Sequence, residues 1–233
     1  EAAASYCMKV LDKHHLNSVG TSFLICDCGG DTVNMMTYEI LNGNKLGVIT
    51  ERIGDFCGGT YVDREFIRYI SRSVDSTVIN LREKHYPQYE ILVYEFCRHV
   101  KIPFTGNRDD FDLFCFDLET WPAIKQYVDQ RTKMDLESND WLLYLNFETV
   151  KQMFDPAVDR IIRLIDQQLN SNVHDLSAIF LVGGFSSSEY LHLRVKEEFS
   201  SKVRLIDVPQ RPSTVIVRGA VEYGLKIGTI KTR

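Results

Sequence analysis

FLICDCGGDTVNMMTYEI (Phe23–Ile40) is a run of β-formers that meets an acid, Asp27, turns on Gly29 and Gly30, and leaves as a second run of β-formers. Two strands joined by a Gly-Gly corner read as a hairpin whose turn wraps backbone amides around a ligand, and phosphate suits such a turn. Two residues depart from a plain phosphate turn. Asp31 puts a carboxylate where another glycine is expected, and Asn34 puts an amide where an acid is expected.

Upstream, residues 2–15 read as an amphipathic helix. Downstream, the NGN of Asn42–Asn44 predicts a tight turn into a strand over Lys45–Ile53, because Asn-Gly supplies positive φ angles. A second glycine corner, GDFCGGTYVDREF, leads into a long helix in which Val62, Phe66, Tyr69, Ile70, Val74, Val78 and Leu81 recur at helical spacing. The middle third predicts a helix over Leu92–Val100, a break over 101–110, a strand over Phe111–Leu118, a helix over Ala123–Arg131 and a strand over Trp141–Phe147. Helix resumes at Glu148 and is expected to restart at Asp155-Pro156, with Asp155 as cap and Pro156 at the first helical position. Near the end, the apolar strand AIFLV (Ala178–Val182) runs into Gly183-Gly184. There Ser186 and Glu189 fit a capping box. A strand over Val203–Ile206 and a helix from Thr214 to Leu225, capped by Ser213, close the pattern. Strands and helices alternate, so the fold class is α/β.

A chain of 233 residues is long enough for one large domain or two modest ones. Its net charge of −5, with no concentrated Lys/Arg face, argues against nucleic acid or an anionic membrane as partner. No apolar run approaches the ~20 residues that span a bilayer, and EAAASYCMKVL reads as helix rather than as a signal peptide. The missing initiator Met reads as a fragment. The six cysteines, Cys7, Cys26, Cys28, Cys57, Cys97 and Cys115, include no CxxC pair, which favours reduced thiols in a cytoplasmic protein. Cys26 and Cys28 share a strand face and read as core packing rather than a metal site. His14, His15 and Cys97–His99 read as surface or edge residues, and NRDDFDLFCFD as a solvated acidic turn without EF-hand spacing. Ser187 and Ser188 have no His–acid pattern that would make a hydrolase.

Taken in order, the motifs resemble the actin/hexokinase-like ATPases, and among them the nucleotide-binding domain of the heat-shock protein 70 chaperones, in a divergent animal and fungal branch. The likeness runs through nearly the whole chain. EAAASYCMKVL resembles the family's connecting helix and DCGGDT its second phosphate motif. CGGTYVDREFIRYI resembles its Gly-Gly helix start, FDPAVDRII its Asp-Pro helix, FLVGGFSSSEYLHLRVKEEF its adenosine motif and RPSTVIVRGAVEYG its closing helix.

The resemblance implies the second, C-terminal lobe of such a domain. It would be an RNase-H-like mixed sheet with flanking helices over residues 1–60 and 147–233, with a smaller α+β subdomain inserted over 61–146 and capping the adenine side. It implies ATP/ADP and Mg²⁺ as cofactors. Asp27 would hold the metal through water, and Gly29, Gly30, Asp31 and Thr32 would lie at the phosphates beside Gly58 and Gly59. Gly183, Gly184, Phe185, Lys101 and Ser213 would border the nucleoside. Phe185, where the family has a small polar residue, either stacks on a base or fills the pocket. The family's Glu and Arg neighbours of Lys101 fall on Arg98 and Ile102. A carboxylate at Asp31 facing a phosphate about 4 Å away costs roughly 4 kcal/mol at an effective dielectric near 20, unless a cation lies between them. Asn34, in place of a catalytic acid, cannot act as a base.

The implied partners are the first lobe of the same domain, for which this chain has no counterpart, and co-chaperone or client proteins. The function implied is an ATP-binding lobe that switches conformation with its nucleotide and hydrolyses it weakly. Its rivals are a pseudo-ATPase scaffold and a sugar or metabolite kinase of the same superfamily.

Overall fold

The computed structural model describes residues 2–43, 45–74, 81–171 and 175–227. The chain divides into two compact units, Glu1–Gly59 with Ala157–Arg233, and Thr60–Pro156.

The first unit is built on a six-stranded mixed sheet. Helix α1 (Ala2–Lys13) precedes strands β1 (Ser22–Cys28), β2 (Val33–Leu41), β3 (Lys45–Val48) and β4 (Ile53–Asp55). β1 is central: it pairs antiparallel with β2 and parallel with β7 (Leu176–Val182), and β7 pairs parallel with β8 (Leu205–Asp207). The strand expected over Lys45–Ile53 is broken in two. β3 pairs with β2 at Tyr38–Leu41 and β4 pairs with β2 at Val33–Met35, leaving residues 49–52 between them.

That break is stapled by one side chain. Gln168 is 2 % exposed. Its Oε1 accepts from the hydroxyls of Thr37 (2.9 Å) and Thr50 (2.6 Å), and its Nε2 donates to the Glu51 carbonyl. The Thr37 amide donates in turn to Thr50 Oγ1.

Alternation along the strands explains the two layers. Phe23, Ile25, Tyr38, Ile40, Ala178, Phe180 and Val182 form one core with Ala4, Cys7 and Leu11 of α1 and Val215 of α9 (Val215–Ile227). The Phe23 ring stacks on Tyr38 at 5.8 Å and meets Phe180 edge-on at 5.9 Å. Burying each such side chain is worth about 1.5–3 kcal/mol. α1 and α9 cross in direct backbone contact: a Cβ at Gly219 would overlap the Ala2 carbonyl. Leu24, Cys26, Met35 and Thr37 face the other way, and the Thr37–Gln168 bond puts helix α7 (Phe147–Ser171) on that side. Helix α8 (Glu189–Phe199) buries Tyr190, Leu191, Val195 and Phe199.

In the second unit, α2 (Thr60–Ser73) turns Val62, Phe66 and Ile70 inward. Phe66 stacks on Phe96 at 4.1 Å and meets Phe116 at 5.2 Å. The long helix expected to reach Leu81 stops at Ser73. Val78 lies outside the described residues, and Leu81 opens a separate short helix, α3 (Leu81–Lys84). α4 (Tyr86–Phe96) runs on into a wider π-helical turn at Cys97–Lys101. The strand expected over Phe111–Leu118 is the shorter β5 (Phe114–Asp117), paired antiparallel with β6 (Leu142–Leu145). The helix expected over Ala123–Arg131 is two, α5 (Pro122–Tyr127) and α6 (Gln130–Ser138), the second capped by Asp129 on the Thr132 amide.

α7 corrects another expectation. It passes through Pro156 without a break, so Asp155 does not cap a new helix. Proline removes one hydrogen bond at that turn. Burial of Val150, Met153, Phe154, Ala157, Val158 and Ile161 along the helix, with the Lys151–Asp155 ion pair at 2.7 Å, outweighs the loss.

Two expected outcomes follow from these contacts. Gly219→Ala should cost about 1–3 kcal/mol in chemical denaturation, because the crossing helices must move apart to admit one methyl. Gln168→Leu should cost about 1–3 kcal/mol, since the buried Thr37 hydroxyl, the half-buried Thr50 hydroxyl and the Glu51 carbonyl lose their partner while volume is nearly kept. Wild-type midpoints in either variant would refute the corresponding assignment.

Candidate functional site

Three glycine corners of the first unit meet at the carboxyl end of β1. The hairpin turn Gly29–Thr32 closes with the Gly29 amide donating to the Thr32 carbonyl at 2.9 Å. The Gly58-Gly59 corner lies on it, with the Gly58 amide donating to the Asp31 carbonyl and the Gly59 amide to the Gly29 carbonyl, both at 3.1 Å. Here glycine is required by close approach: a Cβ on Gly58 would overlap the Gly30 carbonyl and sit 2.7 Å from the Gly29 oxygen. Gly183 adopts φ +87°, its amide donates to the Pro212 carbonyl, and a Cβ there would come within 2.5 Å of Asp27 Oδ1.

The Gly29 amide is thus spent within its own turn, and those of Gly58, Gly59 and Gly183 on neighbouring loops. These glycines build the frame of the site. Gly184 faces open space, with nothing within 4 Å of where its Cβ would be. Phe185 is 6 % exposed, and its ring atoms lie 3.2–3.3 Å from the place of a Gly59 Cβ.

The helix start after Gly184 differs from the capping box expected there. A 3₁₀ turn over Gly184–Ser187 comes first, and Ser188 caps α8 by accepting from the Leu191 amide. Ser186 is buried and donates to the Val182 carbonyl at 2.7 Å. Three successive serines offered three possible caps, and the extra turn moves the cap two residues along. Ser213 likewise does not cap α9. It sits exposed in the 3₁₀ turn Pro212–Thr214, beside Arg211 in the left-handed region at φ 56°.

Asp27 and Asn34 are cross-strand partners on one face of the hairpin. They open into a cleft of about 240 Å³ whose lining also includes Ala2 and Ala3 of α1, Ile216 of α9 and Arg52 from the break between β3 and β4. Asn34 Nδ2 lies 3.4 Å from Thr32 Oγ1. Burial raises the Asp27 carboxyl above its ordinary value, and the Arg52 charge opposes that rise without cancelling it. Sequence reading missed Arg52. It is the only cation between Lys45 and Arg64, and a Glu-Arg pair interrupting an apolar strand pattern was the available signal.

Lys101 belongs to the second unit, where its ammonium pairs with Asp63 at 2.6 Å; Cys97 Sγ donates to the same oxygen at 3.3 Å. The buried cysteines pack as expected. Cys26 and Cys28 bring their sulfurs to 3.4 Å, and burial pushes the Cys26 thiol well up and Cys57 to about 12, so both stay protonated.

The Mg²⁺ implied by the resemblance finds a poor match in this chain. Asp27 is the single carboxylate among the residues lining the cleft, and a guanidinium shares the space. Among the described residues no group of three or more His, Cys, Asp or Glu side chains is arranged to hold a metal ion. Among them, too, no helix is long and apolar enough to cross a membrane.

The raised Asp27 value has a testable sign. A carboxyl that holds its proton more tightly when folded adds stability at low pH and loses it as pH rises through the folded-state value. Asp27→Asn, which cannot ionise, should therefore raise Tm near neutral pH, with a gain that shrinks as pH falls into the carboxylate range. A Tm difference independent of pH would show that the charge is not what costs stability.

No family model matches the chain. Among curated proteins it is similar to heat shock 70 kDa protein 12A of Mus musculus and of Homo sapiens, each 24% identical over 225 residues. Heat shock 70 kDa protein 12B of Homo sapiens is 24% identical over 230 residues. Each alignment covers 92% of this chain, which spans about a third (33%) of the length of these relatives. Among solved structures, a non-polymerisable quadruple mutant of pCBH ParM superposes with a TM-score of 0.59 at 14% identity, over 96% of this chain and 52% of that one. The chain shares its fold with that ParM structure, and its sequence similarity to heat shock 70 kDa proteins 12A and 12B agrees with the resemblance carried by its motifs.

Proposed function

We propose that this lobe binds ATP or ADP against a second lobe and changes conformation with the nucleotide, while hydrolysing it weakly. The carrying observation is the frame of glycine corners at the end of β1, with Gly58 and Gly183 each lying on the hairpin backbone beside Asp27. Such a frame holds its loops in one place, and preorganised loops bind a ligand without a further ordering cost. Gly30, Asp31, Thr32, Gly184 and Ser213 would face the nucleotide.

Weak hydrolysis follows from Asn34. Its amide sits opposite Asp27 and is neither charged nor able to take a proton. Loss of a general base typically costs about 10²–10⁴-fold in rate while leaving binding intact. Co-chaperone or client proteins would read the lobe movement, and a cytoplasmic setting suits six free cysteines.

The second reading is a scaffold that keeps the fold without the nucleotide. The amides already spent on neighbouring loops favour it. Calorimetric titration of ATP and ADP into the full-length chain, with turnover measured on the same sample, separates the two. Binding with slow turnover is the expected result, and Asn34→Asp should raise turnover by about tenfold or more on the general-base argument. Absence of heat with both nucleotides would leave the scaffold reading standing.

A further inference from the structure

Asp27, Asn34 and Arg52 line one cleft, and their charges do not describe a metal site. The resemblance puts two acids and a hydrated cation at this place. Here one of those acids is an amide, and the Arg52 guanidinium lines the same cleft, so the formal charges of the lining sum to zero. A divalent cation at the same place would meet one carboxylate and be repelled by an arginine. Mg²⁺ is held by one or two carboxylates together with the phosphates it bridges, and it sheds its waters reluctantly. A guanidinium instead binds phosphate oxygens directly in a two-pronged geometry.

The placement of Arg52 is built into the sheet. It lies in the break between β3 and β4, next to Thr50 and Glu51, which Gln168 ties to β2. Its side chain makes no hydrogen bond or ion pair among the described residues; its electrostatic partner is Asp27. The other acid of the region, Asp31, stands on the hairpin turn and is not among the residues lining the cleft. Ala2 and Ala3 of α1 close one side of the cleft.

We propose that Arg52 stands in for the divalent cation, so that this cleft holds the phosphate oxygens of a nucleotide directly and binds it without Mg²⁺. The proposal rests on the nucleotide-binding reading above and assigns a charge carrier to it. It also accounts for the loss of the acid at Asn34: without a metal-bound water to orient, a second carboxylate there would only oppose the phosphate.

The test is calorimetric titration of ADP into the full-length chain, once in excess EDTA and once in excess Mg²⁺. The expected result is that the two affinities agree within about threefold, and that Arg52→Ala weakens binding in EDTA by about tenfold or more, the size of one lost charge-assisted contact. Arg52→Lys should keep part of the affinity, because it keeps the charge without the fork. The double variant Arg52→Ala/Asn34→Asp should bind with Mg²⁺ and not in EDTA. Arg52 is exposed, so an unchanged Tm is expected of the single variants and checks that folding is intact. Wild-type binding that needs Mg²⁺ would overturn the proposal and leave the nucleotide reading in place. So would metal-free binding that Arg52→Ala leaves unchanged. Absence of binding in both buffers would overturn the nucleotide reading and this proposal with it.

Discussion

Backbone lying on backbone at the carboxyl end of β1 is what the rest of the first unit is arranged around. Gly58 rests on the Gly29–Gly30 turn, and Gly183 rests on Asp27 and Cys28, at separations that leave no room for a side chain. Such contacts are open only to glycine, and they bring three loops from distant parts of the sequence to one point. β1 is the strand that permits this: its antiparallel partner β2 supplies the hairpin and its parallel partner β7 delivers Gly183. The cores on both sides of the sheet hold these strands in register, because a slip of one residue would move Phe23 and Ile25 to the opposite face and into the place of Leu24 and Cys26.

The hairpin, the strand before Gly183 and the helix after Gly59 were legible because each joins a strong local pattern to a glycine pair. The mixed α/β class followed from them. The departures arise where tertiary contacts outweigh local preference. Pro156 reads as a helix start, yet burial on either side of it carries α7 through. The strand over Lys45–Ile53 looks continuous, yet Gln168, more than a hundred residues away, binds Thr50 and Glu51 and holds a break there. No local pattern announces a partner so distant. The same distance hid Arg52, which joins Asp27 only because the break turns it into the cleft. At Ser186–Ser188 the sequence named the right residue type and the wrong member of the run.

Charge and geometry at the site point in different directions, and the difference is informative. The glycines of the frame match the motifs that the chain resembles, while Asn34 stands where those motifs have an acid. Frame residues are constrained by hard contacts, so a replacement there costs folding. Asn34 and Arg52 sit on an open cleft, where exchange alters only what is bound. A fold can in this way keep its loops and change its chemistry.

Phe185 carries a consequence of its own. Its ring lies against Gly59 and forms part of the turn that follows Gly183, so one aromatic side chain bridges two corners that share no sequence neighbourhood. To swing either corner away is to wet that ring, at a cost of about 1.5–3 kcal/mol. The two loops therefore do not behave as independent flaps. They open together or stay shut, and a ligand that steadies one of them steadies the other without touching it.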